Sequence, residues 1–420
     1  MTHLLPHALS PVTGRAQVPG SKSETNRALV LAALADGPST IVGALKSRDS
    51  DLMVEALRAL GVEVSTEGSD TLHVSPPTAF HAAEHSIDCG LAGTVMRFVP
   101  PLAALADGAT AFHGDPHASE RPMAGILEGL RRLGADVDAD RLPFTVTGPL
   151  GRGGEVTVDS TATSQFVSGL LLIGSRLSDG LTLRHDGEGL PSRPHIAMTV
   201  EMLRGRGVEV TEVDEVTWRV APGPIAAVDT RVEPDLTNAS VFLAAAAATG
   251  GTVTIPGWPA ESLQPGMIFL DVAEEMGATI TRDGDSVTLT GPDKLRAVDV
   301  DLHAGSELTL VVASLMALAE GESRIRGVAH IRGHETDRLA ALVNEFTQLG
   351  IKASETEDGI VITGGGGTYR QPFETYADHR LVHAAAILGL RIPGITVTDL
   401  ECVGKTMPDF ERDWSTLVNG

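Results

Sequence analysis

Aromatic side chains are scarce in this sequence, because phenylalanine, tryptophan and tyrosine together make up only 4% of its 420 residues. The core is therefore expected to be aliphatic. A non-catalytic repeat scaffold that binds proteins would need an apolar or aromatic binding surface. The sequence does not offer such a surface, which argues against that class of protein.

Cysteine is nearly absent, since only Cys89 and Cys402 occur, and they lie 313 positions apart. No CxxC pair and no Cys/His spacing typical of zinc ligands is present. This pattern favours a reducing compartment, taken to be the cytoplasm, and predicts neither a disulfide framework nor a structural metal.

Long apolar runs and positive charge are also lacking. No run of 18 apolar residues is found, and the first 20 residues have no basic segment followed by an apolar one, so we expect no membrane span and no targeting signal. The net charge of −23 argues against nucleic-acid partners. An anionic ligand would have to be attracted by a few gathered Lys, Arg and His side chains.

What the sequence does contain is a repeat. A helical pattern that ends in glycine recurs at intervals of 70 or 73 residues, which predicts six units. The glycines are Gly61, Gly134, Gly207, Gly277, Gly350 and Gly420. Each unit reads strand, helix, strand, helix, strand, strand, and a chain of this length should hold more than one domain.

The sixth unit stops at Gly420 without its final pair of strands, and we expect Leu4 to Val18 to supply them. Six units then divide into three and three. The predicted domains are residues 19–233, which are continuous, and residues 1–18 plus 234–420, with crossings near 18–20 and 231–235. We expect two similar α/β domains and a monomeric chain.

The stretch from Pro19 to Arg27 places Lys22 and Arg27 at the start of a helix, with Ser21 or Ser23 as the N-cap. Cations at this end oppose the helix macrodipole, and an anionic ligand would remove the conflict. An ordinary solvated helix start remains the alternative.

Similar polar helix starts and loops recur along the chain, and we expect their side chains to converge between the two domains. Simpler readings stay open: serine and threonine caps, surface pairs of Arg97 with Asp88 or of Glu335 with Arg338, and solvated histidines such as His185. Asp49 reads as the charge of a helix start. The recurring polar residues are Arg97, Arg121, Thr163, Ser164, Gln165, Ser192, His195, His330, His334, Glu335, Arg338, Asp378, His379, Arg380 and Lys405.

Taken together, the segments PGSKSETNR, GLAGTVMR, ERP, SQF, PSRPHI, HETDR, DHR and KTMPDF resemble the 5-enolpyruvylshikimate-3-phosphate synthase family, in that family's order. The resemblance implies an α/β fold of two domains, each with three βαβαββ repeats, the inside-out α/β barrel of the enolpyruvyl transferases, closing on its substrates. It implies transfer of the enolpyruvyl group of phosphoenolpyruvate to the 5-hydroxyl of shikimate 3-phosphate, with no metal and no organic cofactor.

The resemblance also implies roles for individual residues. Lys22, Glu307 and Glu335 would be catalytic, with Lys22 and Glu307 at the reacting hydroxyl and Glu335 at the enol carbon. The phosphoenolpyruvate ligands would be Lys22, Gly93, Arg121, Gln165, Arg338, His379, Arg380 and Lys405. The shikimate 3-phosphate ligands would be Ser23, Arg27, Thr163, Ser164, Gln165, Ser192, Glu307, His330 and His334.

The sequence departs from the family pattern at several of these places. Leu91 stands where many members have asparagine, and His195 stands in place of a tyrosine. Glu307 replaces aspartate and Thr163 replaces serine. His330 and His334 replace asparagine and lysine, so we expect affinity for shikimate 3-phosphate to fall as these histidines lose protons above about pH 6.5.

The closest alternative is the UDP-N-acetylglucosamine enolpyruvyl transferase family, which shares the fold and the phosphoenolpyruvate chemistry. That family has a reactive cysteine in the loop five positions before the matching arginine, and an asparagine after the lysine. Here those positions hold Pro116 and Ser23, and neither cysteine lies in that loop.

Overall fold

The computed structural model describes residues 2–68 and 70–420. Residue 1 of the predicted 1–18 segment lies outside the described residues. The described residues contain twelve α-helices. They are α1 (Lys22–Ala33), α2 (Arg48–Ala59), α3 (Gly93–Ala103), α4 (Ala124–Leu133), α5 (Gln165–Ile173), α6 (Arg193–Arg204), α7 (Leu236–Thr249), α8 (Ile268–Glu275), α9 (Thr309–Leu318), α10 (Arg338–Gln348), α11 (His379–Gly389) and α12 (Phe410–Asn419). None of these helices combines the length and the apolarity that a bilayer span requires.

The strands in the same residues are short, between two and six residues each. They are β1 (His3–Leu4), β2 (Thr13–Arg15), β3 (Ser39–Val42), β4 (Glu63–Glu67), β5 (Thr71–Ser75), β6 (Ile87–Asp88), β7 (Gly108–His113), β8 (Asp136–Val137), β9 (Phe144–Gly148), β10 (Gly154–Val158), β11 (Leu181–His185), β12 (Val210–Asp214), β13 (Thr217–Val220), β14 (Thr230–Arg231), β15 (Thr252–Pro256), β16 (Thr279–Asp283), β17 (Ser286–Thr290), β18 (Asp299–Asp301), β19 (Gly321–Arg326), β20 (Lys352–Glu355), β21 (Ile360–Gly364) and β22 (Thr396–Val397).

The described strands form five four-stranded sheets of one plan and a two-stranded sheet. In the order β6-β7-β9-β8, the first pair is parallel and the other two pairs are antiparallel. A parallel pair needs a crossover, which α3 provides, while β8 and β9 form a hairpin. The predicted strand–helix–strand–helix–strand–strand unit is therefore present.

Glycine ends the second helix of the first five repeats because the backbone there turns into the left-handed region. The φ angles of Gly61, Gly134, Gly207, Gly277 and Gly350 lie between 78° and 106°. Residues with a Cβ adopt this conformation at a cost, so a glycine after a helix is a dependable end signal.

The N-terminal segment corrects one prediction. Strand β1 does complete the sixth repeat, since it pairs with β22. Strand β2 pairs instead with β15, in the sheet of the fourth repeat. The prediction that residues 4–18 complete the sixth repeat is therefore wrong for β2, because the edge of β15 opposite β17 accepts a parallel strand. The C-terminal helix packs nearby: a Cβ on Gly14 would meet Leu417 Cδ1 at 2.8 Å.

By its internal contacts the chain divides into two compact units. The continuous unit is Gly20–Val232, and the discontinuous unit joins the segment ending at Pro19 to Glu233–Gly420. Strand β14, at the end of the continuous unit, pairs in parallel with β3 and supplies the first strand of the first repeat.

Each unit has its own hydrophobic core around three helices. These helices are α1, α3 and α5 in the continuous unit and α7, α9 and α11 in the discontinuous unit, and nearly all of their residues are buried. A helix that is apolar on every side must be enclosed by other elements. Many of the polar residues predicted to be functional lie at or near the first turns of these central helices or of α6 and α10, whereas Arg121 precedes α4 and Lys405 precedes α12.

Candidate active site

The continuous unit presents Lys22 at the first position of α1. Ser21, rather than Ser23, is the N-cap, and its hydroxyl accepts a hydrogen bond from the Glu24 backbone N–H. The Lys22 Nζ atom lies 3.1 Å from Asp49 Oδ2, and the Asp49 side chain is almost fully buried. Asp49 is therefore more than the charge of a helix start, because it offsets the cation that opposes the dipole of α1.

Arg27 lies one turn further along α1 and is buried. Its guanidinium donates to Thr199 Oγ1, to the Ser23 carbonyl, to Ser168 Oγ and to the His195 carbonyl, at 2.7 to 3.2 Å. Burial lowers its pKa to about 9, so the charged form is held in a costly environment. Of its five N–H groups, these bonds within the described chain leave one for a ligand.

Three side chains converge on Gly93, the first residue of α3. A Cβ at Gly93 would lie 3.1 Å from Arg121 Nη2 and 3.2 Å from both Arg97 Nη1 and Gln165 Oε1. Arg121 Nη1 donates to the Leu91 carbonyl at 2.9 Å. The Gln165 Oε1 atom is buried and has no hydrogen-bond partner among the described residues. In this cluster, the Gly93 cradle, Arg97 and Arg121 carry the N–H donors that an anion needs.

Arg97 belongs to this cradle and not to the surface. Its side chain is buried, and it donates to the Pro122 carbonyl at 2.6 Å and to the Gly93 carbonyl at 3.3 Å. The alternative of a surface pair with Asp88 is therefore wrong.

The starts of α5 and α6 carry the hydroxyls predicted to bind a phosphate. Ser164 is the N-cap of α5, and Thr163 Oγ1 accepts from the Gln165 backbone N–H at 3.3 Å. Ser192 is the N-cap of α6, in the left-handed conformation with φ of 49°. A non-glycine residue in this conformation is strained, and such strain is often found at functional sites.

His185 corrects another expectation, because it is not a solvated loop residue. It ends β11 and is buried, its Nδ1 atom accepts from the Ser160 backbone N–H at 3.0 Å, and its Nε2 atom lies 2.9 Å from the Gly189 carbonyl. It connects the loop that precedes α5 to the loop that precedes α6.

The discontinuous unit contains a charged network at the starts of α10 and α11. Arg338 donates from Nε and Nη2 to the two oxygens of Asp378, at 2.7 and 3.1 Å. Arg338 Nη2 also donates to Glu335 at 2.8 Å, and Lys405 Nζ donates to the other Glu335 oxygen at 2.5 Å. All four side chains are at most 11% exposed. The alternative of a surface pair between Glu335 and Arg338 is therefore wrong.

Arg380 lies beside this network and is half-buried. Its backbone N–H donates to Asp378 Oδ1 at 2.9 Å, while its Nη1 atom is buried and has no hydrogen-bond partner in the described residues. Burial and the neighbouring charge of Arg338 lower its pKa. A bound anion would supply the missing partner and offset the repulsion.

Two histidines predicted to bind shikimate 3-phosphate, His330 and His334, have lowered pKa values. Burial lowers the pKa of His330 to about 4, and its Nε2 atom lies 2.9 Å from Ser306 Oγ. The pKa of His334 falls well below its ordinary value because of burial and the charge of Arg338, which donates to its Nδ1 atom. The expected loss of affinity above about pH 6.5 is therefore wrong, because neither histidine carries a proton to lose there. Glu307 immediately precedes Leu308, the N-cap of α9, and His379 is the first residue of α11, with Nδ1 3.6 Å from Asp378 Oδ1.

The structure thus gathers the predicted site residues into two sets. Lys22, Ser23, Arg27, Gly93, Arg121, Thr163, Ser164, Gln165 and Ser192 belong to the continuous unit, and Glu307, His330, His334, Glu335, Arg338, His379, Arg380 and Lys405 to the discontinuous unit. Sequence reasoning assigned no ligand role to Asp49 or Asp378, although Asp49 accepts a hydrogen bond from Lys22 and Asp378 accepts from Arg338. From the sequence alone, an acidic residue at a helix start is interpreted as a capping group, so its ion pair with a distant cation is not apparent.

Comparisons with known proteins agree with this arrangement. Two structures of EPSP synthase from Acinetobacter baumannii are similar over the whole of this chain and 97% of theirs, with TM-scores of 0.81 and 0.79 at 23% and 22% identity. The fold is that of the two-domain enolpyruvyl transferases, which confirms the predicted fold class. The sequence model of the EPSP synthase (3-phosphoshikimate 1-carboxyvinyltransferase) family matches residues 6–414, and the chain belongs to that family.

A curated relative supports the same family. The 3-phosphoshikimate 1-carboxyvinyltransferase of Mycobacterium ulcerans (strain Agy99) is 50% identical over 424 aligned residues, which cover 99% of this chain and 97% of that protein. The reading as an enolpyruvyl transferase of the shikimate pathway is confirmed over the UDP-N-acetylglucosamine alternative.

Proposed function

We propose that the two residue sets carry out the reaction of this family, in which phosphoenolpyruvate transfers its enolpyruvyl group to the 5-hydroxyl of shikimate 3-phosphate. The enol carbon is protonated while the hydroxyl oxygen attacks its neighbour. The resulting tetrahedral ketal then loses a proton and phosphate. The observation that carries the proposal is the buried Nη1 atom of Arg380, which lies beside the buried Arg338 and has no hydrogen-bond partner in the described residues, since an enclosed, unbonded N–H group of a cation calls for an anionic ligand.

Phosphoenolpyruvate carries a carboxylate and a phosphate, and both suit the cations of the two sets. We assign its ligands to the Gly93 cradle and to the cluster around Arg338. Guanidinium groups bind the two oxygens of a carboxylate or phosphate in a fork, as Arg338 binds Asp378. The assigned ligands are Lys22, Gly93, Arg121, Gln165, Arg338, His379, Arg380 and Lys405.

Shikimate 3-phosphate would be held mainly by hydroxyls at helix starts. The starts of α5 and α6 present serine and threonine hydroxyls beside backbone N–H groups, a combination that suits phosphate. The one spare N–H of Arg27 would take the shikimate carboxylate. The assigned ligands are Ser23, Arg27, Thr163, Ser164, Gln165, Ser192, Glu307, His330 and His334.

Proton transfer would fall to Lys22, Glu307 and Glu335. Glu335 accepts from both Arg338 and Lys405, which fixes its carboxylate in one orientation. A fixed carboxylate that exchanges a proton with Lys405 can deliver it to the enol carbon. Lys22 and Glu307 would exchange the proton of the 5-hydroxyl. Because each substrate is assigned ligands from both units, the proposal requires domain closure. Small-angle scattering with and without shikimate 3-phosphate tests this requirement, and we expect the protein to become more compact when the substrate is added.

The decisive experiment measures phosphate release from phosphoenolpyruvate with two acceptors in parallel. We expect release with shikimate 3-phosphate and none above background with UDP-N-acetylglucosamine. Release with the nucleotide sugar alone would overturn the proposal. The variant Arg380→Ala serves as the site control, because it should lose release with shikimate 3-phosphate while remaining folded by circular dichroism.

We further propose that the chain acts as a cytoplasmic monomer without nucleic-acid partners. The supporting observations are the net charge of −23 and the two free cysteines, of which Cys89 is buried. Size-exclusion chromatography with light scattering tests the monomer, since a mass of twice 43.8 kDa would contradict it.

A further inference from the structure

The loop before α11 contains two adjacent residues in the left-handed conformation, and neither is glycine. Tyr376 has a φ of 52° and Ala377 a φ of 55°. A Cβ makes this conformation costly, so two in succession persist only where the surroundings hold them. Asp378 follows directly, which places the strain beside the carboxylate that binds Arg338.

A buried carboxylate on α10 holds this loop. Glu345 is 1% exposed, and it accepts from the Tyr376 hydroxyl at 3.0 Å and from the Glu374 backbone N–H at 3.0 Å. Glu374 in turn accepts from the Tyr376 backbone N–H at 3.2 Å and from Thr398 Oγ1 at 2.9 Å. We call Glu345, the Tyr376 hydroxyl and the Glu374 N–H the Glu345 latch.

The latch is an unusual use of a carboxylate, because its donors in the described chain are neutral. Gln348 Nε2 adds a weak contact at 3.4 Å, and within residues 2–68 and 70–420 no cation bonds to Glu345. Burying a carboxylate without a cation is unfavourable unless its oxygens are hydrogen-bonded. The negative charge of Glu345 therefore contributes little to the stability of the fold.

What the latch orients is Asp378. The Asp378 backbone N–H bonds to the Thr375 carbonyl at 2.8 Å, and its carboxylate accepts from the backbone N–H of Arg380 and from Arg338. Helix α10 thus meets the loop at two points, the Arg338–Asp378 pair at its start and the latch two turns later. A loop released from the latch would carry Asp378 away from its alignment with both arginines.

We propose that Glu345 and Tyr376 are positioning residues for the anion site, holding the strained loop so that Asp378 aligns Arg338 and the start of α11. The proposal rests on the assignment of Arg338 and Arg380 to phosphoenolpyruvate in the proposed function. Neither latch residue needs to touch a substrate, since each acts through Asp378.

The first test is Tyr376→Phe, which removes the hydroxyl and keeps the ring. We expect the KM for phosphoenolpyruvate to rise about tenfold, the scale of one hydrogen bond to a charged group, with a smaller fall in kcat. The affinity for shikimate 3-phosphate alone should stay unchanged by calorimetry. The matched control is Tyr369→Phe, the other tyrosine of the sequence, whose hydroxyl lies 2.8 Å from Thr396 Oγ1.

Two further variants separate positioning from a general loss of structure. Glu345→Gln keeps an oxygen that accepts from the Glu374 N–H and gains an amide that can donate to the Tyr376 oxygen. Its KM for phosphoenolpyruvate should therefore stay within about threefold of the wild-type value. Glu345→Leu can form neither bond and should resemble Tyr376→Phe. In the double variant Tyr376→Phe/Ala377→Gly, the KM for phosphoenolpyruvate should fall part of the way back towards the wild-type value, because glycine adopts the left-handed conformation without strain.

The outcomes are distinguishable. An unchanged KM in both Tyr376→Phe and Glu345→Leu, with a raised KM in Arg380→Ala, would overturn the latch while leaving the anion site intact. An unchanged KM in Arg380→Ala would instead contradict the proposed phosphoenolpyruvate ligands. If a lowered melting temperature showed that Tyr376→Phe is unstable, the affinities of Glu345→Gln and Glu345→Leu for phosphoenolpyruvate would be compared instead. Equal affinities of these two variants would reject the latch.

Discussion

Arg338 and Asp378 form a buried, two-point ion pair within the discontinuous unit. Their side chains are 2% and 0% exposed, and both oxygens of Asp378 accept from the guanidinium. Burial by itself lowers the pKa of Arg338, but the charges of Asp378 and Glu335 outweigh burial and raise the pKa above its ordinary value. The arginine therefore stays charged in an enclosed place, which gives a fixed positive group for an anionic ligand.

Asp378→Asn should destabilise the protein strongly, because it leaves a buried guanidinium with less negative charge beside it. Removing one partner of a buried pair typically costs about 3 to 5 kcal/mol. Urea unfolding measures the loss. The control is Glu201→Gln, which breaks a pair with Arg204 that is largely exposed and contributes about 0 to 1 kcal/mol. Equal losses in the two variants would contradict the buried role of Asp378.

Lys22→Ala should abolish turnover and leave the fold intact. A positioned proton-transfer group contributes about 10²- to 10⁴-fold to the rate, so phosphate release should fall by at least two orders of magnitude. Circular dichroism checks the fold, and Lys352→Ala, at an exposed position on β20, is the matched control. Turnover that survives Lys22→Ala would reject the assigned role.

Much of the fold was predictable because its signals are local. The glycines that end α2, α4, α6, α8 and α10 mark the repeat in sequence, since each is required by its own backbone conformation. The sheet that β2 joins could not be predicted in the same way. A two- or three-residue strand has no sequence feature that chooses between the free edges of two similar sheets, so the choice of β15 depends on long-range packing.

The candidate site shows the same division. Residue types at helix starts and in polar loops identified Lys22, Arg121 and Arg380, because cations in such places lack an obvious structural reason. The neutral state of His330 was missed, since burial sets it and no neighbouring residue in sequence reveals burial. The Tyr376–Glu345 contact joins positions 31 apart on different elements, which only the folded chain brings together.

His383 should make the protein less stable in mild acid. It is a buried residue of α11 whose ring lies against Phe410 of α12, and neither ring nitrogen is hydrogen-bonded in the described residues. Burial, followed by the charges of Arg380 and Arg338, lowers its pKa to about 3. The unfolded histidine binds a proton near pH 6.5, so stability is complete above that pH and falls as the pH drops towards 3.

At pH 5 this single group should cost about 2 kcal/mol relative to pH 7.5. The variant His383→Leu removes the titrating group and should reduce the difference in urea midpoint between the two pH values. His113, half-exposed with its Nδ1 bonded to Ser86, provides the control as His113→Gln, which should leave the difference as it is. An unreduced difference in His383→Leu would show that other groups cause the acid sensitivity.

Gly93→Ala should weaken phosphoenolpyruvate binding without weakening the fold. The new methyl group would stand 3.1 to 3.2 Å from Arg121, Arg97 and Gln165, closer than ordinary contact, so these flexible ends must shift by a few tenths of an ångström. The helix itself tolerates alanine, which is favoured over glycine by about 0.5 to 1 kcal/mol. We therefore expect an unchanged or raised melting temperature with a KM for phosphoenolpyruvate raised about tenfold, because a displacement of this size spoils the alignment of charged hydrogen bonds. Gly223→Ala is the matched control, since a Cβ there meets nothing within 4 Å. If both variants bound phosphoenolpyruvate equally well, Gly93 would not lie where the ligand binds.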